Sequence, residues 1–351
     1  MSKENALIIF RVDTRGNKGS RALQRCLILA EAHIARGGRA QFAIQQNQQS
    51  ARTLIAARGL QEVTITGRVG TDADMEELLC AVTNGGAASV VIEGRCFGKT
   101  YLSTMASNVY TAVIEDDGER VLPVQLIINT SFAADERFYT CRSDAQLLLG
   151  PEYKLVSPDI AAWPKPERAP KSIIERIFLT SSDDHVSARV LDALPRPRRT
   201  TIVTLLGSRT CPILDAAARA ACARGYIIEQ VSRNAATDAL LFSDAAIVTT
   251  ESMSGLIGFL AIPTLCLAQD REDSRETHRL AEEGANMHMA PMSQTSNQEL
   301  EAALESFLLD EPQRHRFGKR IGSMIDGQGT ERILDRIASA QVPKLRLLKA
   351  A

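Results

Sequence analysis

Aromatic side chains are scarce, at 5% of 351 residues, with one tryptophan. A surface that stacks nucleic-acid bases needs such rings, so their scarcity disfavours one. A dominant charge sign is also missing. The formal net charge is -1, and no electrostatic field argues for nucleic acid or an anionic membrane as partner. No apolar run approaches a membrane span. The opening "MSKENALIIFRV" carries too short an apolar stretch for a signal peptide. The seven cysteines (Cys26, Cys80, Cys96, Cys141, Cys211, Cys222 and Cys266) are odd in number, and no two form CxxC. A disulfide framework or zinc ribbon is therefore not expected, and a reducing cytoplasm is the simple reading. No cluster of His, Cys and carboxylates has ligand spacing, so neither a metal nor another cofactor is expected.

What is present is an ordinary globular composition, 44% apolar and 24% charged, in a chain long enough for two cores. "ALIIFRV" reads as a buried strand. From Ser20, a candidate N-cap, apolar residues recur at Leu23, Cys26, Leu27, Ala30 and Ile34, a helical stripe stopped by Gly37–Gly38. "RAQFAI" is a second strand. The alternation continues through "EVTIT", a helix in "DADMEELLCAVTNGG", "SVVIEG", a helix in "KTYLSTMASN", and the strands "YTAVIEDD" and "VQLIIN". Such a series makes a parallel sheet covered by helical crossovers.

Four prolines within residues 158 to 170 interrupt it. A second series follows: "IIERIFLTSS", a helix around 185 to 194, "TTIVTLLG", "CPILDAAARAACARG" and "YIIEQV". Then come a helix around 236 to 243, "AAIVTT", a helix from about Met253, "PTLCLAQ" and three closing helical patterns. The division predicts an N-terminal Rossmann-like domain over 1–160 and a linker over 161–172. A C-terminal nucleotide-binding-like domain covers 173–330, with a helix and tail over 331–351. The fold class is α/β, two Rossmann-like domains whose parallel sheets face across a cleft. Ligands of open parallel sheets bind beyond the carboxyl ends of the strands. The loops after "FRV", "VIE", "IIN", "FLT" and "IVT" are therefore the informative ones.

The first of these, "FRVDTRGNKGSRALQRCLILA", places Arg11, Asp13, Gly19, Arg25, Leu27, Leu29 and Ala30 in a familiar order. It resembles the UDP-sugar hydrolases of pseudaminic acid biosynthesis and the related spore-coat polysaccharide biosynthesis proteins, which are GT-B-like. "VQLIINTSFAADERFY", "AQLLLGPEYKLVSPDI", "TDALLFSDAAIVTTESMSGLIGFLAIPTLCLAQ", "LAEEGA" and "IDGQGTERI" extend the likeness over most of the chain. The resemblance implies a nucleotide-sugar or sugar-acid ligand, metal-independent release of UDP, and a place beside a partner enzyme of glycosylation. It implies Asp13 as the catalytic carboxylate, with Arg11, Gly19, Arg25, Glu93 and Asn129 toward the sugar. Ser181, Ser182, Asp183, Gly207, Thr249, Thr250, Glu251 and Ser252 would then serve the nucleotide.

Departures from the family pattern fall in three loops. The family's histidine, counted back from Arg25, is Ala22, which carries no proton; His185 and His278 are the distant candidates to replace it. The family's Gly-Gly-(Ser/Thr)-Asp reads Thr180, Ser181, Ser182, Asp183, and side chains there narrow the approach of a phosphate to backbone N–H groups. In the third loop Leu256 stands in the place of a ribose-binding glutamate. Glu251 sets a charge where a diphosphate would lie, a repulsion of about 1 kcal/mol at 4 Å in water. Each candidate also has a plain reading. Asp13 either orients a hydroxyl or a water, or caps its loop; Asn129 either touches ligand or forms a turn. Asp116 and Asp117 read as turn residues. Arg25 either reaches ligand or pairs with a carboxylate. Glu93 is placed to face the cleft, and Thr249 to Ser252 are either ligand contacts or helix caps. Three functions remain open: an altered hydrolase with an atypical site, a binding or scaffold protein without catalysis, and a glycosyltransferase.

Overall fold

A computed structural model describes residues 6–116, 118, 120–207, 211–232, 235–249, 255–269, 271 and 273–339. The chain forms two units. One holds the chain up to Ala162 and again from Gly327; the other spans Trp163–Asp326. Each is α/β with a parallel sheet.

In the first unit the strands are β1 (Leu7–Val12), β2 (Arg39–Gln45), β3 (Gln61–Ile65), β4 (Ser89–Glu93), β5 (Tyr110–Ile114), β6 (Val121–Leu122), β7 (Leu126–Asn129), β8 (Thr140–Cys141) and β9 (Gln146–Leu149). Seven of them form one sheet in the order β3-β2-β1-β4-β5-β7-β9, and β6 pairs with β8 apart from it. The helices are α1 (Gly16–Ala35), α2 (Gln49–Ala57), α3 (Asp72–Gly85), α4 (Lys99–Asn108) and the short α5 (Pro158–Ala161). All six residues of β1 are buried, as an apolar strand covered on both faces must be. Phe10 stacks on Phe42 at 5.1 Å under α1. Ile9, Ile92 and Val113 pack on the opposite face with Leu78, Leu102 and Met105 of α3 and α4.

The second unit has β10 (Arg176–Thr180), β11 (Thr201–Leu206), β12 (Tyr226–Val231), β13 (Ala245–Thr249) and β14 (Thr264–Leu267), in the parallel order β12-β11-β10-β13-β14. Its helices are α6 (Asp184–Ala193), α7 (Pro212–Ala223), α8 (Ala236–Leu241), α9 (Gly255–Phe259), α10 (Ser274–Glu282), α11 (Asn297–Leu309) and α12 (Glu311–Met324). Val190, Leu191, Phe307 and Phe317 centre its core. The last helix, α13 (Gly329–Ala338), belongs to the first unit. Its Thr330 donates to Val156 O at 2.8 Å, and its Glu331 and Asp335 pair with Arg36.

Several expectations need correction. Ser20 is not an N-cap: α1 starts four residues earlier, and Arg15 holds the cap position without a side-chain bond. Ile34 leaves the buried stripe and is 42% exposed. The proline-rich segment belongs to the second unit from Trp163 onward. Lys165 Nζ donates to Ile325 O at 2.8 Å, and Arg168 donates to the carbonyls of Leu260, Ser243 and Leu241. Met253, the expected start of a helix, lies outside the described residues; α9 is described from Gly255. Among the described residues no helix is long and apolar enough to cross a membrane.

Candidate functional site

Both sheets reverse their strand order beside their first strand, and that reversal opens a crevice at the strands' carboxyl ends. In the first unit it lies between β1 and β4, where Val12 pairs with Glu93. The backbone N–H of Asp13 donates to Glu93 O at 2.9 Å. Gly94 follows at φ +147°, and a Cβ there would stand 2.6 Å from the Asp13 Cβ. Only glycine lets the two loops come together.

The Asp13 carboxylate is engaged on both oxygens. Arg15 Nε reaches Oδ1 at 2.8 Å, Arg15 Nη2 reaches Oδ2 at 2.9 Å, and the Cys96 thiol faces Oδ2 at 3.3 Å. Partial burial alone would raise its pKa, but the bonds from Arg15 and Cys96 hold the carboxyl below its ordinary range. Burial, reinforced by the Asp13 charge, pushes the Cys96 thiol up to about 12. Arg15 is half-exposed, so its pairing contributes about 1 kcal/mol or less.

A second cluster sits beside the first. Arg25, on α1, donates Nε to Glu93 Oε1 at 2.8 Å, and its Nη2 meets the same oxygen. Its Nη1 and Nη2 also grip the two oxygens of Asp116 at 2.7 and 2.8 Å. The Cys26 thiol, one residue on, faces Glu93 Oε2 at 3.4 Å. Glu93 is buried, whereas Asp116 is half-exposed. Asp116 thus anchors an arginine rather than merely forming a turn. Asp117 lies outside the described residues.

Three other expected residues turn inward. Arg11 is fully buried, with both Asp74 oxygens at 2.8 and 2.9 Å and the Ala43 carbonyl at 3.1 Å. It is part of the core and offers nothing to a ligand. Asn129 donates to Asp116 O and to the Tyr139 hydroxyl, and its Oδ1 accepts from Ser131 N–H at 2.8 Å. Its amide fastens the turn after β7. Gly19 lies inside α1, where a Cβ would stand 2.2 Å from the Thr14 carbonyl carbon. Its role is to let the helix start against the β1 loop.

Ala22 is buried in the core cluster beneath α1. A histidine in that position would point into the sheet packing, not at Asp13. The described part of the first unit holds only one histidine, His33. Its Nε2 lies 2.9 Å from Ala6 O, before the start of β1. Asp13 follows the far end of that strand, about 20 Å away at ~3.3 Å per residue.

In the second unit the reversal lies between β10 and β13. Thr180 is buried at the end of β10. Ser181 Oγ accepts from Asp183 N–H at 3.0 Å, and Asp183 caps α6 by accepting from His185 N–H at 2.8 Å. Ser182 Oγ accepts from Gln269 Nε2 at 3.0 Å, tying the β10 loop to the end of β14. Gly207 follows β11 at φ +134° with open space where a Cβ would point. Thr249 is buried at the end of β13. Thr250, Glu251 and Ser252 lie outside the described residues. His185 and His278 both belong to this unit and are exposed.

The sequence reading missed Arg15, Cys96, Asp74 and the Glu115–Arg120 pair. Arg120 Nε meets Glu115 Oε2 at 2.5 Å, and its other nitrogens bond the carbonyls of Gly94, Arg95 and Phe97. It fixes the loop that carries Cys96 to Asp13. Arg15 stood in the quoted motif and was readable as an i,i+2 partner of Asp13; the longer-range partners had no local signal.

No protein-family model matches the chain, and no curated protein matches it. Solved structures do. MurG of Acinetobacter baumannii is 12% identical, covers 95% of this chain and 100% of its own, and superposes with a TM-score of 0.66. The chain has a GT-B-like fold. The UDP-GlcNAc 2-epimerase of Neisseria meningitidis, solved with UDP-GlcNAc, is 8% identical over 96% of this chain and 100% of its own, at a TM-score of 0.63. The spinosyn forosaminyltransferase SpnP is 14% identical over 96% of this chain and 100% of its own, at 0.62. At such identities the likeness describes architecture, and function is argued from the site itself.

Proposed function

We propose that this GT-B-like chain binds a nucleotide sugar and does not hydrolyse it through Asp13. The nucleotide half of the reading is supported by likeness in fold to proteins solved with UDP or UDP-GlcNAc. It assigns the nucleotide to the second unit, at the loops after β10, β11 and β13, with Ser182, Gly207 and Thr249 as contacts.

One observation carries the catalytic half. Asp13 is bonded on both oxygens by Arg15 and by the Cys96 thiol. A general base must accept a proton from water, and its efficiency falls as its pKa drops below the working pH. A carboxylate held below its ordinary range is a poor acceptor. The imidazole that the hydrolases of pseudaminic acid biosynthesis use has no counterpart among the described residues of the first unit: Ala22 faces the core, and His33 sits at the opposite end of β1.

The test is calorimetric titration of the full chain with UDP and UDP-N-acetylglucosamine, followed by a UDP-release assay on the same samples. The reading expects saturable binding with release no faster than in buffer. Absence of binding would remove the nucleotide half. Release abolished by Asp13→Asn would remove the catalytic half.

A further inference from the structure

Two carboxylates at the first unit's rim share one guanidinium. Arg25 bonds the buried Glu93 on one side and the half-exposed Asp116 on the other. With both acids ionised, this group of three carries a net charge of one unit negative. The remaining neighbours do not cancel it at Glu93. From α1, Cys26 offers a neutral thiol to Oε2. From the β1 loop comes the Asp13 N–H, which bonds the Glu93 carbonyl and not its side chain. Arg21 and Lys154 act on Asp116, at the exposed end of the cluster. Glu115, the next acid along β5, is answered by Arg120.

A buried carboxylate with only part of a cation is costly to ionise. Water stabilises Asp116 where it cannot stabilise Glu93, so a proton entering the cluster goes to Glu93. Burial is the largest influence on Glu93, Arg25 opposes it, and the Asp116 charge adds to it; the result brings the carboxyl up to about 7. At Asp116 the partial loss of water works in the same direction, but Arg25, with Lys154 and Arg21, outweighs it and holds this acid at about 2.

We propose that the Glu93–Arg25–Asp116 cluster is a proton-binding site whose one exchangeable proton sits on Glu93. Taking up that proton makes the β4–β5 rim one charge more positive. The crevice then repels an anionic ligand group less, so the site is under pH control. The inference rests on the cluster alone and holds whether or not the second unit binds a nucleotide.

Carbon-detected NMR of the full chain with labelled glutamate carboxyls tests it. One glutamate signal is expected to titrate well above the ordinary carboxylate range. Glu93→Gln removes that signal. Asp116→Asn, at an exposed position that leaves the core intact, shifts its midpoint to lower pH because Arg25 is then left to Glu93. The same shift assigns the signal should Glu93→Gln fail to fold. Glutamates that all titrate in the ordinary range would overturn the proposal. So would a high midpoint that Asp116→Asn leaves in place.

Discussion

Arginine decides the character of the first unit at the scale of single residues. Arg15 covers Asp13, Arg25 covers Glu93 and Asp116, Arg120 covers Glu115, and beneath them Arg11 is closed on Asp74. The last pair is wholly buried and joins β1 to α3. Removing one partner leaves a buried charge without an answer, which typically costs about 3–5 kcal/mol. Asp74→Ala is therefore expected to lower urea stability by that order, and the joint replacement Arg11→Met with Asp74→Leu to recover most of it. Ala22→His makes the complementary case. Its side chain enters a filled core, where overpacking costs about 1–3 kcal/mol, and UDP release should not rise above that of the unchanged chain. Glu93 contributes in the opposite sense to a paired carboxylate. Its folded-state affinity for the proton is raised, so its support of the fold is complete below pH 4.5 and is lost as pH climbs toward about 7. Melting curves should show the unchanged chain losing ground to Glu93→Gln across that interval. Sequence could point to Arg11, Asp13 and Glu93 as charged residues near strand ends, and to Arg25 within the first helix. It could not say which were turned inward, because Asp74 lies 63 residues from Arg11 and Asp116 lies 91 from Arg25.

Elements were the most legible scale, and the reasons are local. "KTYLSTMASN" carries its apolar residues on one helical face and forms α4 over those ten residues. "SVVIE" has three apolar residues between Ser89 and Glu93 and forms the buried β4. Of the missed helices, α2 and α10 are short, with two buried residues apiece, and α5 is a single turn. α2 lies against β2 and β3, its neighbours in sequence. The glycine-rich opening of α1 was read as a ligand loop, yet Gly19 sits within the helix against Thr14. Gly19→Ala is expected to destabilise the chain by about 1–3 kcal/mol through that contact, while Ser20→Ala beside it, on the exposed surface, should be close to neutral. Thermal unfolding of the two variants side by side separates a packing glycine from a flexible one. Amide exchange in α1 would rise in the first variant only.

At the scale of the whole molecule, two sheets of the same strand logic share one chain. The N-terminal unit is completed by α13, which returns after Asp326 to close on α1. Alternation of strand and helix patterns was enough to give two α/β units with parallel sheets, because such sheets require crossovers of that length, and the family resemblance added the GT-B-like class. The return of the last helix was not legible, since its partners Val156 and Arg36 are far away in sequence. Architecture of this kind accommodates many reactions, so the central claim concerns what the site lacks. The direct measurement is single-turnover release of UDP from UDP-N-acetylglucosamine by the full chain, under calorimetrically confirmed saturation. The account predicts a bound complex that stays intact at the buffer rate. Release faster than buffer, lost on Asp13→Asn, would contradict it.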